Sequence, residues 1–118
     1  MIFRNLEIGK KIISKRGLPA HIVLFITNRC NMECDHCFLV ESGELNDMKR
    51  PQILSVENLR KLATSNPKLL ALSITGGEPF LRKDLYKIVN LFKKQVVAIP
   101  TNGFLTDNII DRCKNKII

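Results

Sequence analysis

The sequence has no tryptophan and a single tyrosine, and its aromatic content is 6% over 118 residues. The few aromatics are not interleaved with Lys and Arg in the stacking pattern of a single-strand nucleic-acid surface. No apolar run approaches the roughly 20 residues that cross a bilayer. Residues 1–17 mix Arg4, Lys10, Lys11, Lys15 and Arg16 with apolar side chains. They lack a continuous apolar centre and a small-residue cleavage site, so they do not read as a signal peptide. The cytoplasm is the default location, and no membrane partner is expected. Internal repeats and low-complexity segments are also missing. Acidic residues are the minority, 11 against 19 Lys and Arg, for a net charge of +8. The cations are spread along the chain, which favours a solvated surface; a basic nucleic-acid-binding domain is the alternative.

There are four cysteines, and three of them, Cys30, Cys34 and Cys37, fall within one short stretch. Three clustered thiols cannot pair off, which argues against a disulfide framework and for metal or redox chemistry. Cys113 stands apart, on a helical pattern with Ile109 and Ile110, and reads as a small buried hydrophobe.

The apolar pattern reads as strand, loop, helix, three times over. Ile22 to Ile26 is a short β-branched run that suits a strand buried on both faces. Glu41 to Pro51 reads as loop. Ser55 is placed to cap a helix running to about Ser65, stopped by Asn66 and Pro67. Leu69 to Ile74 is a second strand, and Arg82 to Lys94 a second helix with Leu85, Ile88, Val89 and Phe92 on its apolar stripe. Val96 to Ile99 is a third strand. Thr106 is placed to cap a third helix through about Asn115, and Ile117 and Ile118 could begin a fourth strand. Alternation of this kind predicts α/β architecture with βα units on a parallel sheet. The loops after parallel strands leave one edge of the sheet, where active sites gather. Those loops carry the cysteines, Gly76-Gly77-Glu78-Pro79 and Thr101-Asn102-Gly103.

Cys30, Cys34 and Cys37 form a C-x3-C-x2-C loop. Thiolates suit zinc or iron–sulfur clusters. A structural zinc site needs a fourth ligand. His36 is adjacent to Cys37 and so points away from it in an extended segment; Cys113 lies in the predicted helix. A cluster held by three thiolates leaves one iron open for a small molecule, and the loop favours that reading over a non-catalytic zinc module. Gly76 and Gly77 allow close backbone approach to a ligand, while Pro79 holds Glu78 extended. His21, leading into the first strand, reads as structural. Thr101 and Asn102 read equally well as a plain Asn-Gly turn.

The combination of C-x3-C-x2-C after one strand and Gly-Gly-Glu-Pro after the next resembles the radical S-adenosylmethionine (radical SAM) superfamily. Thr27-Asn28-Arg29-Cys30-Asn31 and Thr101-Asn102-Gly103 resemble the branch of molybdenum-cofactor synthesis proteins and peptide maturases. The resemblance implies a 4Fe–4S cluster on Cys30, Cys34 and Cys37, with S-adenosylmethionine on the open iron. Gly76, Gly77 and Glu78 would contact its methionine amine, His36 would lie near it, and Thr101 and Asn102 would face substrate or cofactor. The implied reaction is reductive cleavage of S-adenosylmethionine to a 5′-deoxyadenosyl radical that abstracts hydrogen from a small molecule or peptide. The implied electron donor is a ferredoxin or flavodoxin.

The family's core is a partial (βα)6 barrel related to the TIM barrel. At roughly 30 residues per βα unit, this chain holds about three units. The expectation is therefore a basic extension over 1–17 and a truncated core over 18–118, about half a barrel. It would lack the later strands that hold ribose and adenine. Catalysis by this chain alone would then be weak or absent: the expectation is a fragment of a larger enzyme, and the alternatives are a chain completed by a partner, the missing C-terminal part or self-association, and a small iron–sulfur-binding module without catalysis.

Overall fold

The computed structural model describes residues 19–49 and 54–114. The expected basic extension, the Lys10–Arg16 run and the fourth strand at Ile117 and Ile118 lie outside the described residues.

Three strands, β1 (His21–Thr27), β2 (Ala71–Gly76) and β3 (Val96–Ala98), form one parallel sheet in the order β1-β2-β3. Among the described residues four helices accompany them: a single turn α1 (Phe38–Glu41), then α2 (Val56–Ser65), α3 (Leu85–Leu91) and α4 (Thr106–Arg112). The α/β alternation and the parallel pairing match the sequence reading, as an open three-stranded sheet.

One expectation for β1 fails. Its burial alternates, with Leu24 and Ile26 buried while Val23 and Phe25 remain 51% and 52% exposed. The register pairs Leu24 with Ile74 and Ile22 with Leu72, so these side chains share one face. On that face they meet Leu59 of α2 and Leu85 and Ile88 of α3 in a single core cluster. Helices α2 and α3 cover this face. A parallel strand is apolar throughout because both of its faces are normally covered, and here the second cover is not among the described residues. Phe25 is met on its open side by Phe38, edge to face at 5.6 Å.

Several boundaries move for local reasons. Ser55 does cap α2, accepting from the Asn58 N–H at 3.1 Å. The second helix starts at Leu85 rather than Arg82, because Pro79–Leu81 form a 3-10 turn and the Arg82 side chain is drawn inward. Its guanidinium donates to the carbonyls of Ile26 (2.7 Å) and Leu54 (2.8 Å) and to the Asp84 carboxylate (2.7 Å). Arg82 thus ties β1 to the segment before α2 and to the start of α3. The guanidinium hydrogen bond, with help from the Arg82 charge, holds the Asp84 carboxyl below the usual carboxylate range. Thr106 is not the cap of α4 but its first residue, and its hydroxyl donates back to the Gly103 carbonyl at 2.7 Å. β2 begins two residues later than the apolar run, and β3 ends at Ala98. Cys113 packs against the core cluster, as its helical context suggested.

Candidate functional site

The carboxyl ends of all three strands open on one edge of the sheet. At the end of β1 the register slips between Phe25 and Thr27, so that Thr27 pairs with Gly76. Such bulges bend a strand and re-aim the residues after them. Here the backbone continues beside the Gly-Gly-Glu segment. The Gly77 N–H donates to the Thr27 carbonyl and the Glu78 N–H to the Arg29 carbonyl, both at 2.8 Å.

This contact explains both glycines. Gly76 has φ +135°, a region that L side chains rarely adopt, and a Cβ there would overlap the Thr27 carbonyl. A Cβ on Gly77 would overlap the Arg29 carbonyl oxygen and stand 2.6 Å from its carbon and 3.1 Å from Cys30 Cβ. The sequence reading had the glycines admitting a ligand. In the structure the backbone they admit is that of the residues leading into Cys30.

The cysteine loop comes next along the chain. All three of its thiols are free; Cys34 is exposed, and Cys30 and Cys37 are partly so. The Cys37 N–H closes a turn onto the Cys34 carbonyl at 3.0 Å, and the Cys37 carbonyl accepts from the Val40 and Glu41 N–H groups of α1, both at 3.0 Å. His36 is exposed between them. Among the described residues, no group of three or more His, Cys, Asp or Glu side chains is gathered tightly enough to hold a single metal ion.

Two asparagines to which the sequence reading gave no role of their own hold this loop. Asn46 lies in the segment read simply as loop, and it has φ +56°. Its side chain treats Cys30 as a strand neighbour: Oδ1 accepts from the Cys30 N–H at 2.9 Å and Nδ2 donates to the Cys30 carbonyl at 3.2 Å. Asn28 donates from Nδ2 to the carbonyls of Glu44 (2.9 Å) and Asp47 (3.0 Å). The Asn46 N–H returns a bond to the Asn28 carbonyl at 3.0 Å. The available signal was the left-handed preference of asparagine in turns, which marks a turn but not its partner.

The third loop closes over the first two. Glu78 is 1% exposed. Its carboxylate accepts from the Phe80 N–H (3.0 Å), from the Thr101 hydroxyl (2.9 Å and 3.0 Å to the two oxygens) and from the Asn102 N–H (2.9 Å). The Asn102 side chain reaches the cysteine loop, with Nδ2 3.0 Å from Asn31 Oδ1 and 3.8 Å from Cys30 Sγ. The structure therefore brings Cys30, Gly77, Glu78, Thr101 and Asn102 together, with Cys34 and Cys37 on the same loop. His21 sits at the start of β1, bonded to Ser73 Oγ at 2.9 Å, and Cys113 packs against the core from a partly buried position; neither joins this group.

Free thiols on the first of three interlocked loops, at the carboxyl edge of a parallel sheet, are soft donors of the kind that suit a metal or a cluster. The comparison with known families makes the class particular. Residues 24–117 match the radical SAM superfamily, and the chain belongs to that superfamily. Its enzymes use a 4Fe–4S cluster and S-adenosylmethionine. The chain is 31% identical over 105 residues to a GTP 3',8-cyclase of Staphylococcus carnosus, covering 81% of this chain and 31% of the relative. It is 30% identical over 114 residues to a probable GTP 3',8-cyclase of Methanocaldococcus jannaschii (92% and 35%). It is 34% identical over 96 residues to a pre-heme d1 synthase of Dinoroseobacter shibae (75% and 22%). The chain thus spans about a third or less of the length of these relatives. No solved structure matches it. Among the described residues, no helix is long and apolar enough to cross a membrane.

Proposed function

We propose that residues 18–118 form the first half of a radical SAM core, with Cys30, Cys34 and Cys37 as the thiolate ligands of a 4Fe–4S cluster. The observation that carries this reading is the meeting of three free thiols with the Gly-Gly-Glu and Thr-Asn-Gly loops at one sheet edge. The donor set fits: three accessible soft ligands on a short loop, none tied into a disulfide.

When bound and reduced, the cluster and S-adenosylmethionine supply reductive cleavage to a 5′-deoxyadenosyl radical for hydrogen abstraction. The chain's own contribution is to bind and to orient. Cys30 enters with its backbone already fixed by Asn46. The Gly76–Glu78 segment lies directly against the residues that lead into Cys30, where it would meet the methionine amine beside the cluster. His36 would lie near the cofactor, and Thr101 and Asn102 would face cofactor or substrate. The exposed face of β1, with Val23 and Phe25, would line the interior of a partial (βα)6 barrel once its remaining strands are supplied. The rest of a longer chain or a second copy could supply them.

The relatives' names divide between GTP 3',8-cyclases and a pre-heme d1 synthase. What this chain would share with both is the radical chemistry of its superfamily rather than one substrate, which would be a small molecule or peptide. The electron would come from a ferredoxin- or flavodoxin-type donor in the cytoplasm.

Anaerobic reconstitution with iron and sulfide tests the reading. The expected result is close to four irons and four acid-labile sulfides per chain, with loss of the cluster in Cys34→Ala. Stoichiometric zinc without sulfide in protein purified without oxygen would sink it.

A further inference from the structure

We propose that the Asn102 side-chain amide is a hydrogen-bond donor to the Cys30 sulfur that raises the reduction potential of the cluster, and that Glu78 is the positioning residue that aims it. The inference rests on the reading of Cys30 as a cluster ligand.

The orientation of the amide is set by its partners. Asn102 Oδ1 accepts from the Phe104 N–H at 2.9 Å. An amide oxygen accepts and the amide nitrogen donates twice, so this bond fixes which end faces the cysteines. Nδ2 then has two N–H groups and two acceptors, Asn31 Oδ1 at 3.0 Å and Cys30 Sγ at 3.8 Å. The backbone of Asn102 is held as firmly. Its N–H donates to Glu78 Oε2 at 2.9 Å, and Thr101, beside it, donates its hydroxyl to both Glu78 oxygens. Glu78 is buried and anchored in turn by the Phe80 N–H at 3.0 Å. A chain of bonds therefore runs from the end of β2, through the β3 loop, to one cysteine sulfur.

A donor to a ligating sulfur withdraws electron density and favours the reduced, more negative cluster, so it raises the potential. The same amide would act on Cys30 alone, since no comparable side-chain donor reaches Cys34 or Cys37 among the hydrogen bonds of the described residues. Asn102→Ala removes the donor. Asn102→Asp keeps an acceptor for the Phe104 N–H but replaces the donor with a negative charge. Glu78→Gln removes one acceptor from the pair that holds Thr101 and Asn102.

The test is an EPR-monitored redox titration of the reconstituted full chain, with iron and sulfide content measured for each variant. Asn102→Ala is expected to lower the reduction equilibrium constant by up to about tenfold, or about 59 mV for a one-electron couple. Asn102→Asp should lower it further, and Glu78→Gln should shift it in the same direction. Glu78→Gln should add nothing once Asn102 is Ala. A wild-type chain that assembles no cluster refutes the underlying reading. Variants with full cluster content and unchanged potential overturn the present inference, as would failure of both Asn102 variants to fold, which would make the residue purely structural.

Discussion

Replacing Gly77 with alanine adds one methyl group at the tightest crossing in the site. Its Cβ would overlap the Arg29 carbonyl oxygen, and the carbonyl carbon would have to retreat from 2.6 Å to at least 3.4 Å, where ordinary contact begins. That carbonyl accepts the Glu78 N–H at 2.8 Å, and the Gly77 N–H itself donates to Thr27 at 2.8 Å. Overpacking costs typically about 1–3 kcal/mol, and weakening these two bonds adds about 1 kcal/mol each. The sum is about 3–5 kcal/mol, a large share of the roughly 5–15 kcal/mol that holds a small domain together. Gly43 is the internal control. It has φ +69° but nothing within 4 Å of a built Cβ, so Gly43→Ala carries only backbone strain of about 1–2 kcal/mol. Urea unfolding of the apo chain compares them directly. If Gly77→Ala is no less stable than Gly43→Ala, the glycines are not there for the backbone crossing, and the coupling of the two loops through that crossing is refuted.

Two further outcomes are expected. Asn46→Ala removes both bonds to the Cys30 backbone; at an exposed position this should cost about 1–2 kcal/mol, and a chelator should strip iron from the reconstituted variant faster than from the wild type. Asp84, whose pKa is lowered chiefly by its hydrogen bond from Arg82, binds fewer protons folded than unfolded at mildly acidic pH. Its contribution to stability is complete above the unfolded carboxylate pKa near 3.9 and is lost as pH falls through the lower folded value. Asp84→Asn should therefore flatten the acid limb of a stability profile measured from pH 7 to pH 2.5, and an unchanged limb would contradict the pairing.

How much of the fold and the site was legible in the sequence depends on the range of the interaction. Strand and helix order comes from apolar periodicity and from turn residues, which are local, so the βα alternation and the Ser55 cap were readable. The edges of elements were less so, because Arg82 is helical by local preference but is pulled out of that pattern by the carbonyls of Ile26 and Leu54. The burial of β1 was misjudged for a related reason. An apolar run shows that both faces of a strand prefer cover, not that both have it.

For the site itself, the sequence by itself determined which groups are present and in what order: three thiols at C-x3-C-x2-C spacing, two glycines before a glutamate, and the parallel βα order that sends all three loops to one edge. Thiol chemistry and loop spacing are properties of neighbouring residues, so no fold is needed to see them. Only the tertiary structure decided what the motifs do to one another. It set Gly77 against Arg29, gave Asn46 the backbone of Cys30, and turned Glu78 inward to hold Thr101 and Asn102. These pairings join residues far apart in the chain through a few hydrogen bonds and one backbone crossing, and such contacts leave no periodic trace in a sequence.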